Sequence, residues 1–263
     1  MSFPVHVIKI GGNIIDNPTA CTDFLRVFAQ ISTPKILIHG GGKIATQTAA
    51  KLGIETQMVD GRRITDRAML DVVTMVYGGL VNKNLVAQLQ AESCNAIGLT
   101  GADAGIIRST KRPVKTLDYG FVGDIAEVNS GQLNSFLKSG LIPVIAPLTF
   151  TSEGVLLNTN ADTMASATAV ALAPLQPISL IYCFEKKGVL SDPDDDESVI
   201  PSLTPESYAT FKASGVINQG MIPKLDNAFK ALESGVKWVI ICHAQDLALA
   251  AEGKAGTVLS LEK

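Results

Sequence analysis

The chain has 263 residues, of which 46% are hydrophobic and 18% charged, so it is no disordered polymer and has enough apolar mass for a large core. A net charge of −3 offers no basic field for nucleic acid or an anionic membrane, so a site for a polyanion must come from local groups. No apolar run reaches the ~18 residues of a bilayer span and no secretory leader opens the chain, which predicts a cytoplasmic protein.

Val5–Ile10 reads as a strand that runs into Gly11-Gly12, with Asp16 or Asn17 capping the helix beyond. A second strand, Ile36–His39, enters Gly40-Gly41-Gly42 and a helix rich in Ala and Thr. Helical periods occupy 67–92, 162–173, 204–214 and 223–234. Further strands are expected at Ala96–Leu99, Ile142–Ala146, Ile178–Cys183 and Trp238–Cys242. Residues 106–129 read as a hairpin-like excursion, with Gly120 and Gly123 as turn signals. The acidic run 192–197 reads as a solvated loop. Cys21, Cys94, Cys183 and Cys242 form no C-x-x-C pair, so reduced, mostly buried thiols are expected. Strands without alternation, separated by helices, predict a mainly parallel α/β sheet covered on both faces. A soft boundary near Pro147–Gly154 divides residues 1–150 from 151–263 as two lobes of one structural domain.

Two strand–glycine–helix turns in one half stand out. The second can be forced into a dinucleotide fingerprint, but it follows the second strand, and Lys43 lacks the Ser or Thr of a Walker A loop. Each turn alone reads equally as a tight turn or as an anion cradle of backbone N–H groups. The pair, with Lys9 inside the apolar strand VIKIGG, favours the cradle, since buried lysines are rare unless paired. Asp162 could cap its helix or hold lysines in place. Lys224 lies in a first helical turn, where the dipole disfavours a cation and an anionic partner would explain it. Arg62 and Arg63 are a carboxylate clamp or ordinary surface arginines.

The segments VIKIGG, ILIHGGGK, DGRRIT, MVYGGLVNKNLV, IGLTGADAG, LDYGFVGDI, LIPV, LNTNAD and GMIPKLDNA occur in an order that resembles the amino-acid kinase family. Within it, the chain is most similar to members that phosphorylate an N-acyl-L-glutamate in arginine biosynthesis. The resemblance implies an open three-layer α/β/α sandwich, with the acylglutamate and a homodimer contact in the N-terminal lobe and ATP in the C-terminal lobe. It implies that Lys9 and Lys224 stabilise the transferring phosphoryl group and that Asp162 positions both. Gly11 and Gly12 would donate to phosphate. Gly41, Gly42, Arg63 and Asn158 would hold the acylglutamate. Glu185, Gly188, Leu190, Val216, Ile217 and Asn218 would border the nucleotide, with Mg²⁺ carried by ATP and no dedicated protein cage. Other family phosphotransferases, or a non-catalytic nucleotide or metabolite binder on the same fold, are the alternatives.

Two departures from the family pattern matter. Glu185 stands where the family usually has Asp. Arg62 stands where the family has a leucine near the acyl methyl, so it either turns to solvent or meets an acyl carboxylate, as in N-succinylglutamate. An arginine facing a methyl would be an uncompensated charge. The chain also begins almost at its first strand, without the helix that links arginine-inhibited relatives into hexamers. A simple homodimer without strong arginine feedback is therefore expected.

Overall fold

The computed structural model describes residues 5–59, 61–217 and 221–261. β1 (Val5–Ile10) is buried throughout and leads into a single turn, α1 (Gly12–Ile15). Asn17 then caps α2 (Pro18–Gln30) by accepting the Ala20 N–H, and Pro18 supplies a helical φ at the first position. β2 (Lys35–His39) leads through the second glycine turn to α3 (Gly42–Lys51). A small hairpin, β3 (Met58–Val59) with β4 (Arg62–Arg63), precedes α4 (Arg67–Val73). A π-helical stretch, Thr74–Val81, joins α4 to α5 (Asn82–Ala91) without a break. β5 (Ala96–Leu99) is followed by the antiparallel pair β6 (Ile107–Lys111) and β7 (Gly123–Val128), the expected excursion. Then come α6 (Ser130–Lys138), β8 (Ile142–Ile145) and the hairpin of β9 (Leu148–Phe150) with β10 (Leu156–Asn158). The remainder is α7 (Ala161–Leu172), β11 (Ile178–Phe184), β12 (Ser202–Leu203), α8 (Pro205–Ala213), α9 (Ile222–Glu233), β13 (Trp238–His243), α10 (Leu247–Ala251) and β14 (Thr257–Leu259).

The main sheet has eight strands in the order β12-β14-β13-β11-β1-β2-β8-β5, parallel except where β13 meets β14. Helices cover both faces, giving the α/β/α sandwich. One core joins α2, α3, the α4–α5 rod and α10 to Ile8 and Ile10 of β1. The other joins α6, α7 and α9 to Val5 and Val7. Strand side chains alternate faces, so Lys9 shares the second face with Val5 and Val7 and runs beneath the N-terminus of α7. A four-stranded sheet, β10-β9-β6-β7, crosses the boundary drawn near residue 150.

The structure decides two alternatives that the sequence left open. Asn160, not Asp162, caps α7: its side chain accepts the Thr163 N–H, leaving the Asp162 carboxylate free for another partner. Asn17 rather than Asp16 caps α2. No described helix is long and apolar enough to cross a membrane.

Candidate active site

β1 lies between β2 and β11, where chain connections diverge to the two sides of the sheet. In open α/β sheets the crevice beyond the strand ends at such a point is the place for a ligand. Both glycine turns sit there, and they touch: a Cβ on Gly40 would lie 3.7 Å from the Gly12 nitrogen. A cavity of about 360 Å³ opens at their meeting, lined by Lys9, Gly11, Gly12, Gly42, Lys43, Asp162, Phe184, Glu185 and Lys224 among others. Residues from five separate parts of the sequence thus converge on one space.

The Lys9 ammonium pairs with Asp162 at 2.7 Å. Lys224 reaches the cavity from the first turn of α9. Burial pulls its pKa below the usual lysine range; Lys9 adds to that, whereas Asp162 and Glu185 oppose it. Gly41 is the N-cap of α3 with a φ of 147°, and no side chain caps the helix, so its first N–H groups remain for an anion. Tyr77 closes over the turn, with its ring 3.1 Å from where a Gly41 Cβ would stand. His39 holds the turn from behind. Its Nδ1 donates to the Gly40 carbonyl at 2.7 Å, and its Nε2 accepts from Asn82 Nδ2 at 3.1 Å. Complete burial lowers its pKa to about 4, so the ring is a neutral strut.

A second cavity, about 220 Å³, adjoins the first through Phe184, Glu185 and Lys224. Gly188, Val189, Leu190, Ile217, Met221 and Ile241 make it mainly apolar. Gly188 is required there because a Cβ would lie 2.7 Å from Thr257 Oγ1. The acidic run is exposed as expected, but it is also tethered: Asp196 pairs with Lys186 at 2.6 Å, and Glu197 pairs with Lys187.

On the other side of the glycine turns lies a pocket of about 230 Å³. Gly41, Gly42, Arg62, Arg63, Tyr77, Arg112 and Asn158 line it. Arg63 is buried and pins the turn, donating to Gly42 O at 2.9 Å, Thr46 Oγ1 at 2.8 Å and Thr56 Oγ1 at 3.2 Å. Asn158 donates to Thr65 Oγ1 at 3.0 Å. Asp124 clamps Arg112 by accepting from Nε at 3.0 Å and Nη2 at 2.6 Å, while Tyr119 covers the guanidinium at 5.4 Å. Arg112 Nη1 is closed off from solvent with no partner among the described residues.

The structure therefore gathers Lys9, Asp162, Lys224, Gly11, Gly12, Gly42 and Glu185 around one cavity. Glu185, Gly188, Leu190 and Ile217 line the second, and Gly41, Gly42, Arg62, Arg63 and Asn158 the third. Val216 does not line the apolar cavity, and Asn218 lies outside the described residues. Gly11 is corrected as a phosphate donor, because its N–H already donates to Cys183 O at 3.2 Å; Gly12 remains. Sequence reasoning missed Lys43, Phe184 and Arg112. Arg112 had one signal, its place in a hairpin whose return strand begins Gly123-Asp124.

The model of the amino acid kinase family matches residues 4–243. A Cytophaga hutchinsonii protein named acetylglutamate kinase is 59% identical over 92% of this chain and 92% of its own length. A Phocaeicola vulgatus protein of the same name is 56% identical over 98% and 99%. Among solved structures, a Streptococcus mutans protein superposes with a TM-score of 0.78 at 27% identity, covering 98% of this chain and 99% of that one. The chain belongs to the amino acid kinase family.

Proposed function

We propose that this protein transfers the terminal phosphoryl group of ATP to the side-chain carboxylate of an N-acyl-L-glutamate, a step of arginine biosynthesis. The observation that carries the reading is the convergence of Lys9, Asp162, Lys224 and both glycine turns on one cavity between an apolar and an arginine-lined pocket. The relatives named acetylglutamate kinase support it.

A glutamate side chain ionises near pH 4.3, so the acceptor arrives as a ready nucleophile and needs no general base. None of the three histidines lines the three cavities. What remains is to align two anions and to neutralise charge on the transferring oxygens. Lys9 and Lys224 supply cations for that, Asp162 sets their positions, and Gly12 with the N-terminus of α3 supplies N–H donors. Mg²⁺ enters on the ATP phosphates and shields their charge. The mainly apolar cavity takes the nucleoside, so the C-terminal half holds ATP and the N-terminal half most of the acylglutamate. Arg63 and Asn158 face the α-carboxylate. Met75 and Leu80, 55% and 53% exposed on the α4–α5 rod, mark the face for a second copy in a homodimer.

The acyl group carries its own carboxylate, with N-succinyl-L-glutamate the fitting case. Arg62 lines the pocket, and Arg112 stands in the same wall with an unmatched donor. Arg62 is exposed where it lines the pocket, and a carboxylate on the acyl group, unlike an acetyl methyl, would give its guanidinium and Arg112 Nη1 a partner. Trapping the acyl phosphate with hydroxylamine, in parallel for acetyl- and succinylglutamate, tests both levels. Preference for succinyl is expected. Preference for acetyl overturns the acyl assignment, and no acyl phosphate from either substrate overturns the kinase assignment.

A further inference from the structure

Lys9 Nζ lies 5.2 Å and Lys224 Nζ 4.1 Å from the centroid of one ring, that of Phe184. The two lysines come from opposite ends of the chain, and this ring is a surface they share. Phe184 is itself held: its ring stacks on Tyr182 at 6.2 Å and 16°, and the Tyr182 hydroxyl donates to the Asp162 carbonyl at 3.4 Å. Strand alternation explains the column, since Tyr182 and Phe184 share a face of β11 and Tyr182 is the register partner of Lys9.

We propose that Phe184 is a positioning residue for phosphoryl transfer, its π-face fixing the two ammonium groups across the phosphate cavity. The proposal rests on the kinase reading above. A ring quadrupole attracts a cation without cancelling its charge. A second carboxylate would hold Lys224 as firmly but would compete with the phosphate oxygens. With Asp162 in ion-pair contact with Lys9 and an aromatic ring beneath both lysines, the two cations stay ordered and keep charge to give. The charged groups that line cavities with the ring are Lys9, Lys224, Asp162, Glu185, Lys43 and Asp16, with Lys186, Arg62 and Lys230 farther along its other sides. Between them, desolvation and Lys9 lower the affinity of Lys224 for its proton.

The test compares kcat, both KM values and the alkaline limb of the pH profile for wild type, Phe184→Leu and Phe184→Tyr. Mono-, di- and trifluorophenylalanine at position 184 complete the series. Phe184→Leu is expected to lower kcat about 10-fold, the size of a partly desolvated cation–π contact, with each KM within about threefold. Phe184→Tyr restores turnover, log kcat falls stepwise with each fluorine, and the alkaline limb of Phe184→Leu moves to lower pH. A flat fluorine series beside an impaired leucine variant means the ring acts by size alone and overturns the proposal. So does a loss confined to the KM for ATP, which would make Phe184 a nucleotide platform. If wild type forms no acyl phosphate, the kinase reading fails by itself. NMR titration of the Lys224 ammonium in wild type and Phe184→Leu then decides the ring contact, and identical titrations refute it.

Discussion

Asp162→Asn removes one charge from the centre of the phosphate cavity and almost nothing from its shape. The Lys9 ammonium has its carboxylate partner at 2.7 Å, and the lysine side chain is only 9% exposed, against 38% for Asp162. Removing one partner of a fully buried pair costs about 3–5 kcal/mol. Asp162 is open to water by more than a third, so screening reduces that to about 1–2 kcal/mol. For a chain of this size the melting temperature should fall by about 3–6 °C. Turnover should suffer more than stability. Without the carboxylate, Lys9 and Lys224 repel each other and drift, and a displacement near 1 Å at a phosphoryl-transfer centre costs about 100-fold. Lys224 also loses the neighbour that favours its charged form, so the alkaline limb of kcat should move to lower pH. Steady-state kinetics with thermal melts, plus calorimetric binding of an ATP analogue to show an intact fold, make the assay. A variant that turns over within threefold of wild type would refute the positioning role of Asp162.

Lys9→Ala and Lys224→Ala should bind an ATP analogue yet lose on the order of 10²–10³ in kcat, and near-normal turnover in either would remove that lysine from the reaction. Gly41→Ala forces a Cβ onto a φ of 147° and into the Tyr77 ring at 3.1 Å. It should cost about 1–3 kcal/mol in denaturant melts and raise the KM for acylglutamate about 10-fold, because the turn must move. His39 stays neutral down to about pH 4, whereas the unfolded chain takes up that proton near pH 6.5. Stability is therefore complete above pH 6.5 and falls as pH drops toward 4, by up to about 3 kcal/mol from this ring. His6 is lowered to about 4 by burial as well, so His39→Gln should reduce the slope of melting temperature across that window without abolishing it, and an unchanged slope would refute the assignment. All four thiols are free and buried, and burial pushes Cys21 up to about 11. A disulfide-exchange reagent should titrate none in the native protein and all after denaturation.

The site was legible in sequence to the extent that local rules expressed it. Lys9 announced itself as a cation within a buried strand, and period-two alternation explains how it finds Asp162. The second glycine turn was visible because a φ like that of Gly41 strongly favours glycine. Phe184 was invisible, and Arg112 nearly so, for the opposite reason. An aromatic at a strand end and an arginine in a hairpin are ordinary locally, and their meaning comes from side chains far along the chain. Gly11 was misjudged because a backbone donor shows its partner only once β11 is laid beside β1. In the fold, α6 escaped notice because it buries Leu133 alone in a polar segment, and β12 spans only two residues.

The place of β1 in the sheet also dictates an order of events during synthesis. β1 leaves the ribosome before the other described strands, and β2 can pair with one of its edges early. Its other edge waits for β11, which is made only after two-thirds of the chain, and that pairing alone brings Phe184 beside Lys9. Until then a mainly apolar strand edge stands open, which exposes the nascent chain to aggregation. Closing so distant a pair is slow, so the phosphate cavity should be among the last features to form. Chains arrested before residue 184 should be bound by chaperones, and release should coincide with the burial of β1.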